Sequence, residues 1–186
     1  MARIATMGID CIDERLFNFG GPIELNKPRF GLYGSTIYAD RYGNKRTGWL
    51  DFCYGSDYHP RSYNHGISYT LNKNTKIYTI SNYDDYINLL KNYRYIPYDN
   101  KVSIDWNKFK LDFDAFHLTE DAFWELRMII SGYVFFEDDE SRGNRYRLDD
   151  FYCYDCETWI LFNLDCINKG SIQNICIKYK KTEDYE

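Results

Sequence analysis

The stretch Phe30-Gly-Leu-Tyr-Gly-Ser-Thr-Ile-Tyr38 predicts a β-strand that carries two glycines. A glycine inside a strand indicates a bulge or a close approach of another group to the backbone, so we expect tight packing at Gly31 and Gly34. Far along the chain, the stretch Glu157-Thr-Trp-Ile-Leu-Phe-Asn163 is the strongest candidate for a buried strand. The sheet is therefore expected to combine strands from both halves of the chain.

The residues between these two stretches favour helices. Ser81 is placed to cap a helix that extends to about Tyr93, and the apolar residues of this segment recur with a helical period. Further helices are predicted over Trp106–Leu111 and from Thr119 onward. An order of strands, then helices, then strands indicates an α+β fold.

The other segments are shorter or more polar, and no repeat or linker divides them, so we expect one domain over residues 1–186. They are predicted as irregular structure over 1–28, a polar turn over 40–48, a short helix at Trp49–Cys53, strands at Gly66–Leu71 and Lys76–Ile80, a solvated loop over 137–150, and a half-exposed strand around Ile175–Tyr179.

The charge and hydropathy of the chain restrict its partners. The net charge is −5 and the isoelectric point is near 5.3, which argues against general nucleic-acid binding, because that function needs a basic face. No apolar run approaches the length of a membrane span, and the first residues do not have the pattern of a secretion signal. We therefore expect a cytoplasmic protein that does not insert into membranes.

The sequence contains few motifs of metal-binding or nucleophilic sites. Cys153 and Cys156 have C-x-x-C spacing, but no second ligand pair completes a zinc motif, so we expect no metal and reduced thiols. The nucleophile elbow G-x-S-x-G, the phosphate-binding P-loop and the dinucleotide fingerprint G-x-G-x-x-G are all absent from the sequence. His117 follows an apolar stretch and is interpreted as a structural histidine.

Several short motifs occur in the order found in the ADP-ribosyltransferase superfamily, and the chain resembles its small single-domain bacterial and phage members. The motifs are Pro28-Arg-Phe-Gly-Leu-Tyr-Gly-Ser35, Trp49-Leu-Asp-Phe-Cys53, Gly66-Ile-Ser-Tyr-Thr-Leu71, the Ile80–Tyr93 helix, Phe113-Asp-Ala-Phe116 and Tyr154-Asp-Cys-Glu157. The resemblance implies a split β-sandwich of two small sheets with flanking helices, and NAD as the donor of ADP-ribose.

The resemblance also implies roles for individual residues. It places Tyr33, where the family often has histidine, with Gly34, Ser35 and Thr36 on the nicotinamide side of NAD. Tyr69 becomes the candidate ring that stacks on nicotinamide, and Trp49 a further NAD-binding residue. Glu157, or Asp155 in its place, becomes the carboxylate that stabilises the oxocarbenium-like transition state.

The implied function is transfer of ADP-ribose from NAD to a macromolecule. The acceptor would be a host or defence protein, and the protein would be encoded by a phage or mobile element. Transfer of ADP-ribose to water remains an alternative. A different class of function also stays open, in which the same fold is a non-catalytic binding protein or inhibitor. Residues 137–150 precede the candidate catalytic strand, and the resemblance implies that this loop presents the acceptor.

Overall fold

The computed structural model describes residues 2–17, 27–28, 30–56, 64–96, 101–128, 133–134, 146–148 and 154–178. Within them the fold is α+β, with strands in two mixed sheets and four α-helices. The strands are β1 (Ile4–Met7), β2 (Leu32–Ala39), β3 (Lys45–Thr47), β4 (His65–Tyr69), β5 (Ile77–Ile80), β6 (Arg94–Tyr95), β7 (Lys101–Ile104), β8 (Ala115–Leu118), β9 (Tyr133–Val134), β10 (Tyr146–Leu148), β11 (Thr158–Leu161) and β12 (Gln173–Cys176). The helices are α1 (Gly48–Gly55), α2 (Tyr83–Tyr93), α3 (Trp106–Asp112) and α4 (Glu120–Arg127).

The larger sheet holds eight strands in the order β12-β4-β1-β2-β11-β8-β5, with β3 paired to β2. The smaller sheet has the order β6-β7-β10-β9. In the larger sheet, β1 pairs with β4 over four residue pairs but with β2 over only two, Ile4 with Thr36 and Ala5 with Ser35. The ladder between β1 and β2 is therefore shorter than the one between β1 and β4.

The helices and the larger sheet enclose the main core. Buried side chains of α2, α3 and α4 pack with those of β5, β8 and β11, and Trp106, Phe109 and Phe116 form a cluster of edge-on aromatic contacts. A second core, which includes Ile4 and Tyr69, lies around β1, β4 and the opposite side of β11.

The local signals predicted the helices well. Thr119 caps α4 as expected, while the cap of α2 is Asn82 rather than Ser81, because the Asn82 side chain accepts the hydrogen bond of the Asp85 N–H. Ser81 lies just outside, where its N–H donates to the carboxylate of Asp85 at 2.9 Å.

Three predictions of irregular structure were wrong. The polar turn predicted over 40–48 contains β3, which pairs with β2. Residues 1–28 contain β1, whose four residues Ile-Ala-Thr-Met are too few and too uniformly buried to show alternation. The interval 137–150 contains β10, in which Tyr146 and Leu148 are buried between the neighbouring strands β7 and β9. The rest of this interval lies outside the described residues.

The close contact of β1 with β4 provides a test of the fold. A Cβ atom added at Gly66 would lie 2.3 Å from the Thr6 carbonyl oxygen and 2.8 Å from the Met7 Cα, and backbone atoms cannot rotate away. We expect Gly66→Ala to lower the free energy of unfolding by about 1–3 kcal/mol, the usual cost of overpacking, as measured by urea denaturation. Gly55→Ala, where no atom lies within 4 Å of the added Cβ, is the control and should cost nothing. Equal stability of the two variants would contradict this packing.

Candidate functional site

A cavity of about 580 Å³ opens where β1 and β2 separate. The segment Ala5–Ile9 lines one side, and the segment Gly31–Ser35 lines the other. Trp49 of α1 and the Asp155–Cys156 segment before β11 contribute to the remaining wall. Its size is in the range of small-molecule sites, and it lies between two strands of one sheet.

The cavity exists because a side chain ends the ladder between β1 and β2. After the pair Ala5–Ser35, the Thr6 hydroxyl donates a hydrogen bond to the Tyr33 carbonyl oxygen at 2.7 Å. Backbone N–H and C=O groups of one residue point to the same edge of an antiparallel strand, so the edge of β2 around Tyr33 faces the cavity. Main-chain polar groups of β2 thus border a space that a ligand could enter.

Gly31, just before β2, and Gly34, within it, are both in close contact with neighbouring atoms, as the sequence predicted. Gly31 has φ +101°, and a Cβ there would lie 2.8 Å from the Leu161 carbonyl oxygen. A Cβ at Gly34 would lie 2.6 Å from a methyl group of Ile4 and 3.2 Å from the Tyr69 hydroxyl. The close approach at Gly34 is therefore made by the second core of the protein itself.

The structure divides the predicted site residues into two groups. Tyr33, Gly34, Ser35, Trp49 and Asp155 all line the cavity. By contrast, Thr36, Glu157 and Tyr69 are not part of its lining.

Tyr69 is a core residue in this structure. Its side chain is 0% exposed, and its hydroxyl lies 2.9 Å from the Thr6 hydroxyl, with which it shares a hydrogen bond. Burial raises the pKa of the Tyr69 phenol well above its usual range. With no exposed ring face, Tyr69 cannot stack on a ligand in this conformation, and we do not retain it in the site.

The Glu157 carboxylate is held by a network that we name the Glu157 cluster, consisting of Thr36, His117, Glu157 and Trp159. Glu157 Oε1 accepts from the Thr36 hydroxyl at 2.6 Å and lies 2.9 Å from His117 Nε2. Glu157 Oε2 accepts from the Thr36 N–H at 2.9 Å. The indole Nε1 of Trp159 donates to the Thr36 hydroxyl at 2.9 Å, and the Trp159 and His117 rings stack 3.8 Å apart. Each carboxylate oxygen therefore has a protein partner.

The Glu157 cluster connects β2, β8 and β11 across the centre of the larger sheet. Trp159 lies opposite His117 on β8 and opposite Gly34 on β2. Neighbouring residues of a strand point to opposite faces, so the Trp159 ring is on one face while Thr158 lines the cavity on the other. The Glu157 side chain bonds to Thr36 on β2 and to His117 on β8, on the face of the sheet that holds the Trp159 ring. It is therefore directed away from the cavity.

His117 was interpreted from the sequence as a structural residue, and what the sequence analysis missed is its hydrogen-bonded contact with Glu157. One signal was present: Phe116 and Leu118 are apolar, so strand alternation would place His117 alone on the opposite face. The pairing of β8 with β11, which brings His117 to Glu157, involves residues about forty positions apart and has no local signature.

The thiol of Cys156 lies in the cavity wall beside Ser35. The Ser35 hydroxyl donates to the Glu157 backbone carbonyl at 3.1 Å and lies 3.7 Å from Cys156 Sγ. Burial, with the charges of Glu157 and Asp155, raises the pKa of Cys156 to about 12. Cys153 lies outside the described residues, and in the described part of the chain no group of three or more His, Cys, Asp or Glu side chains could hold a metal.

The buried Glu157 cluster predicts a loss of stability on substitution. In Glu157→Gln a neutral amide replaces the charged acceptor, which weakens the hydrogen bonds from the Thr36 N–H and hydroxyl, and we expect a decrease of about 1–3 kcal/mol in the free energy of unfolding. Asp10→Asn makes the same chemical change at an exposed position and should change stability little. Urea denaturation of both variants measures the difference, and an unaltered midpoint for Glu157→Gln would refute the hydrogen bonding described.

The raised pKa of Cys156 predicts slow alkylation. A thiol with a pKa of about 12 is almost entirely protonated at pH 8, and only the thiolate reacts. We expect N-ethylmaleimide to modify Cys156 at least about ten times more slowly than the exposed Cys176, as followed by peptide mass spectrometry. Unfolding in urea should equalise the two rates, and equal rates in the folded protein would contradict burial of the thiol.

The comparisons with known proteins identify no relative. The chain matches no protein-family model, no curated protein and no solved structure. In the part of the chain that the structure describes, no helix has the length and apolar character needed to cross a membrane. A functional assignment therefore depends on the geometry of the cavity and the Glu157 cluster.

Proposed function

We propose that this protein transfers ADP-ribose from NAD to a macromolecular acceptor. The observation that carries the proposal is the cavity at the separation of β1 and β2, into which Tyr33, Gly34, Ser35, Trp49 and Asp155 converge. The sequence motifs that suggested NAD binding lie far apart along the chain, and their convergence on one cavity was not required by the sequence.

The proposed reaction breaks the glycosidic bond between C1′ of the ribose and the pyridinium nitrogen of NAD. Nicotinamide leaves as a neutral molecule with the bonding electron pair, and C1′ acquires oxocarbenium character. An acceptor nucleophile then forms a bond to C1′ and loses its proton to a carboxylate or to solvent. A fixed anion beside C1′ stabilises the positive charge as it develops, which is the main task of the protein.

Of the two candidate carboxylates, Asp155 fits this task better in the present structure. Asp155 lines the cavity, where a ribose could reach it. Both oxygens of Glu157 are already bonded to Thr36 and His117, away from the cavity. We therefore assign the electrostatic role to Asp155 and a positioning role to Glu157, whose backbone carbonyl accepts from Ser35 in the cavity wall.

The remaining cavity residues suit the nicotinamide end of NAD. The main-chain edge of β2 around Tyr33 can exchange hydrogen bonds with a carboxamide, and the Trp49 ring offers an apolar surface for a planar group. The opening of the cavity between β1 and β2 is compatible with a ligand site of the kind that the resemblance implies. The sequence resemblance adds three further parts to the proposal. The acceptor is a host or defence protein, the protein comes from a phage or mobile element, and it acts in the cytoplasm.

A second candidate function is binding without catalysis. Trp124 and Met128 lie one turn apart on and just after α4 and are 54% and 72% exposed, although both are large apolar side chains. Exposed tryptophan and methionine are common anchors of protein interfaces. In this alternative, the biological effect would persist in a variant without the Asp155 carboxylate and would be lost in Trp124→Ala.

The proposal predicts that removal of the Asp155 charge abolishes turnover without unfolding the protein. We expect Asp155→Asn to reduce nicotinamide release from NAD by about 100-fold or more, the typical effect of removing an electrostatic group at a reacting centre. Chromatography of released nicotinamide measures this rate with and without a cell lysate as the source of acceptors.

Two further variants serve as controls for this experiment. Asp121→Asn removes an exposed carboxylate from α4 and should leave the rate unchanged. Glu157→Gln should lower the thermal midpoint yet, below that midpoint, retain a rate within about tenfold of the native protein. The proposal fails if the native protein neither releases nicotinamide nor gains thermal stability with NAD, and the assignment of Asp155 fails if Asp155→Asn keeps the native rate.

A further inference from the structure

The described lining of the cavity contains one basic and one acidic side chain, Lys27 and Asp155. Both act on the same thiol with opposite signs, since the Asp155 charge raises the pKa of Cys156 and the Lys27 charge lowers it. The two charges therefore lie within electrostatic range of one point in the cavity wall. The rest of the lining consists of apolar side chains, hydroxyl groups and backbone.

The Lys27 ammonium is held in place by two aromatic rings. Its Nζ lies 5.3 Å from the centroid of the Tyr33 ring and 5.4 Å from that of the Tyr154 ring. Such distances are typical of cation–π contacts. The Tyr33 hydroxyl in turn donates to the backbone carbonyl of Pro28, the residue after Lys27, so the ring and the lysine backbone are connected. The charge is thus positioned at the cavity rather than carried on a side chain extended into solvent.

We propose that Lys27 binds a phosphate group of the ligand. The cavity would then take a molecule with an anionic phosphate near Lys27 and a cationic pyridinium ring near Asp155. The inference rests on the proposed function, because NAD has this distribution of charge: its nicotinamide ring is a pyridinium cation and its diphosphate is an anion. It names Lys27 as the group that would bind the phosphate end of NAD.

The charges of Lys27 and Asp155 explain where in the cavity a phosphate would bind. An ammonium group is a compact charge with several donors and a common ligand of phosphate. Its attraction to phosphate is strengthened in a cavity whose other walls are mostly apolar, since the effective dielectric constant there is below that of water. Asp155 would repel a phosphate placed beside it, so the phosphate is favoured at Lys27.

The experiment separates the two ends of the ligand with two probes. ADP-ribose carries the diphosphate without the pyridinium, and nicotinamide riboside carries the pyridinium without a phosphate. Calorimetry measures the dissociation constant of each probe for the native protein and for Lys27→Met, Lys27→Arg and Lys45→Met. Methionine keeps an unbranched apolar stem against the two rings, and Lys45→Met is the matched control that removes one exposed charge.

We expect Lys27→Met to weaken ADP-ribose binding by at least about tenfold and to leave nicotinamide riboside binding within twofold. Lys27→Arg should retain most of the affinity for ADP-ribose, and Lys45→Met should match the native protein for both probes. Asp155→Asn should give the reverse pattern, with a selective loss of nicotinamide riboside. A thermal melt of each variant verifies folding before binding is measured.

The outcomes distinguish failure of this inference from failure of the proposed function. Native affinity of Lys27→Met for ADP-ribose, or equal losses for both probes, overturns the inference even if nicotinamide release is normal. A selective loss of ADP-ribose binding in Lys27→Met supports the phosphate site even if the native protein releases no nicotinamide, and in that case only the transfer reaction falls. Failure of the native protein to bind ADP-ribose overturns the inference outright.

Discussion

The hydrogen bond from the Thr6 hydroxyl to the Tyr33 carbonyl is the contact on which the candidate site depends. A regular antiparallel ladder would continue past Ala5 and Ser35, and the main-chain groups of both strands would then be satisfied by each other. Because a side chain takes the place of a backbone donor, the strands separate and a cavity forms between them. The Tyr69 hydroxyl on the other side of Thr6 fixes the orientation of the Thr6 side chain.

The Glu157 cluster holds the edge of β2 that lies opposite to the cavity. One edge of β2 is released from β1, while the other edge is bound to β11 by strand pairing and by the bonds of Glu157 to Thr36. A strand that borders a ligand cavity on one side needs a rigid partner on the other, because displacement of its backbone would misplace every group that contacts the ligand. The most heavily hydrogen-bonded carboxylate of the site region thus has a supporting role.

The helices and five of the strands, β2, β4, β5, β11 and β12, could be predicted from the sequence within a few residues, whereas the assembly of the site could not. Thr119 and the apolar period of α2 are local signals, and Gly31 and Gly34 correctly indicated close backbone contacts. In contrast, β1 was missed because its four residues show no alternation, and the contact of His117 with Glu157 was missed because the two residues lie on different strands. Tyr69 matched a sequence motif, but its burial depends on Gly34 and Ile4 on neighbouring strands. Pairing between distant strands decides which polar residues meet, and local patterns do not encode it.

The order of strands in the larger sheet has a consequence for how the protein is made. β2 lies between β1 and β11, so its second neighbour follows it by more than one hundred residues. During synthesis, β2 emerges long before β11 exists, and pairing between such distant segments is slow because a long loop must close first. A nascent chain lacking residues beyond 154 has neither Asp155 nor the Glu157 cluster. Completion of the cavity is therefore a late event in folding, and an interrupted chain would expose the unpaired edge of β2 to aggregation rather than display a partial activity.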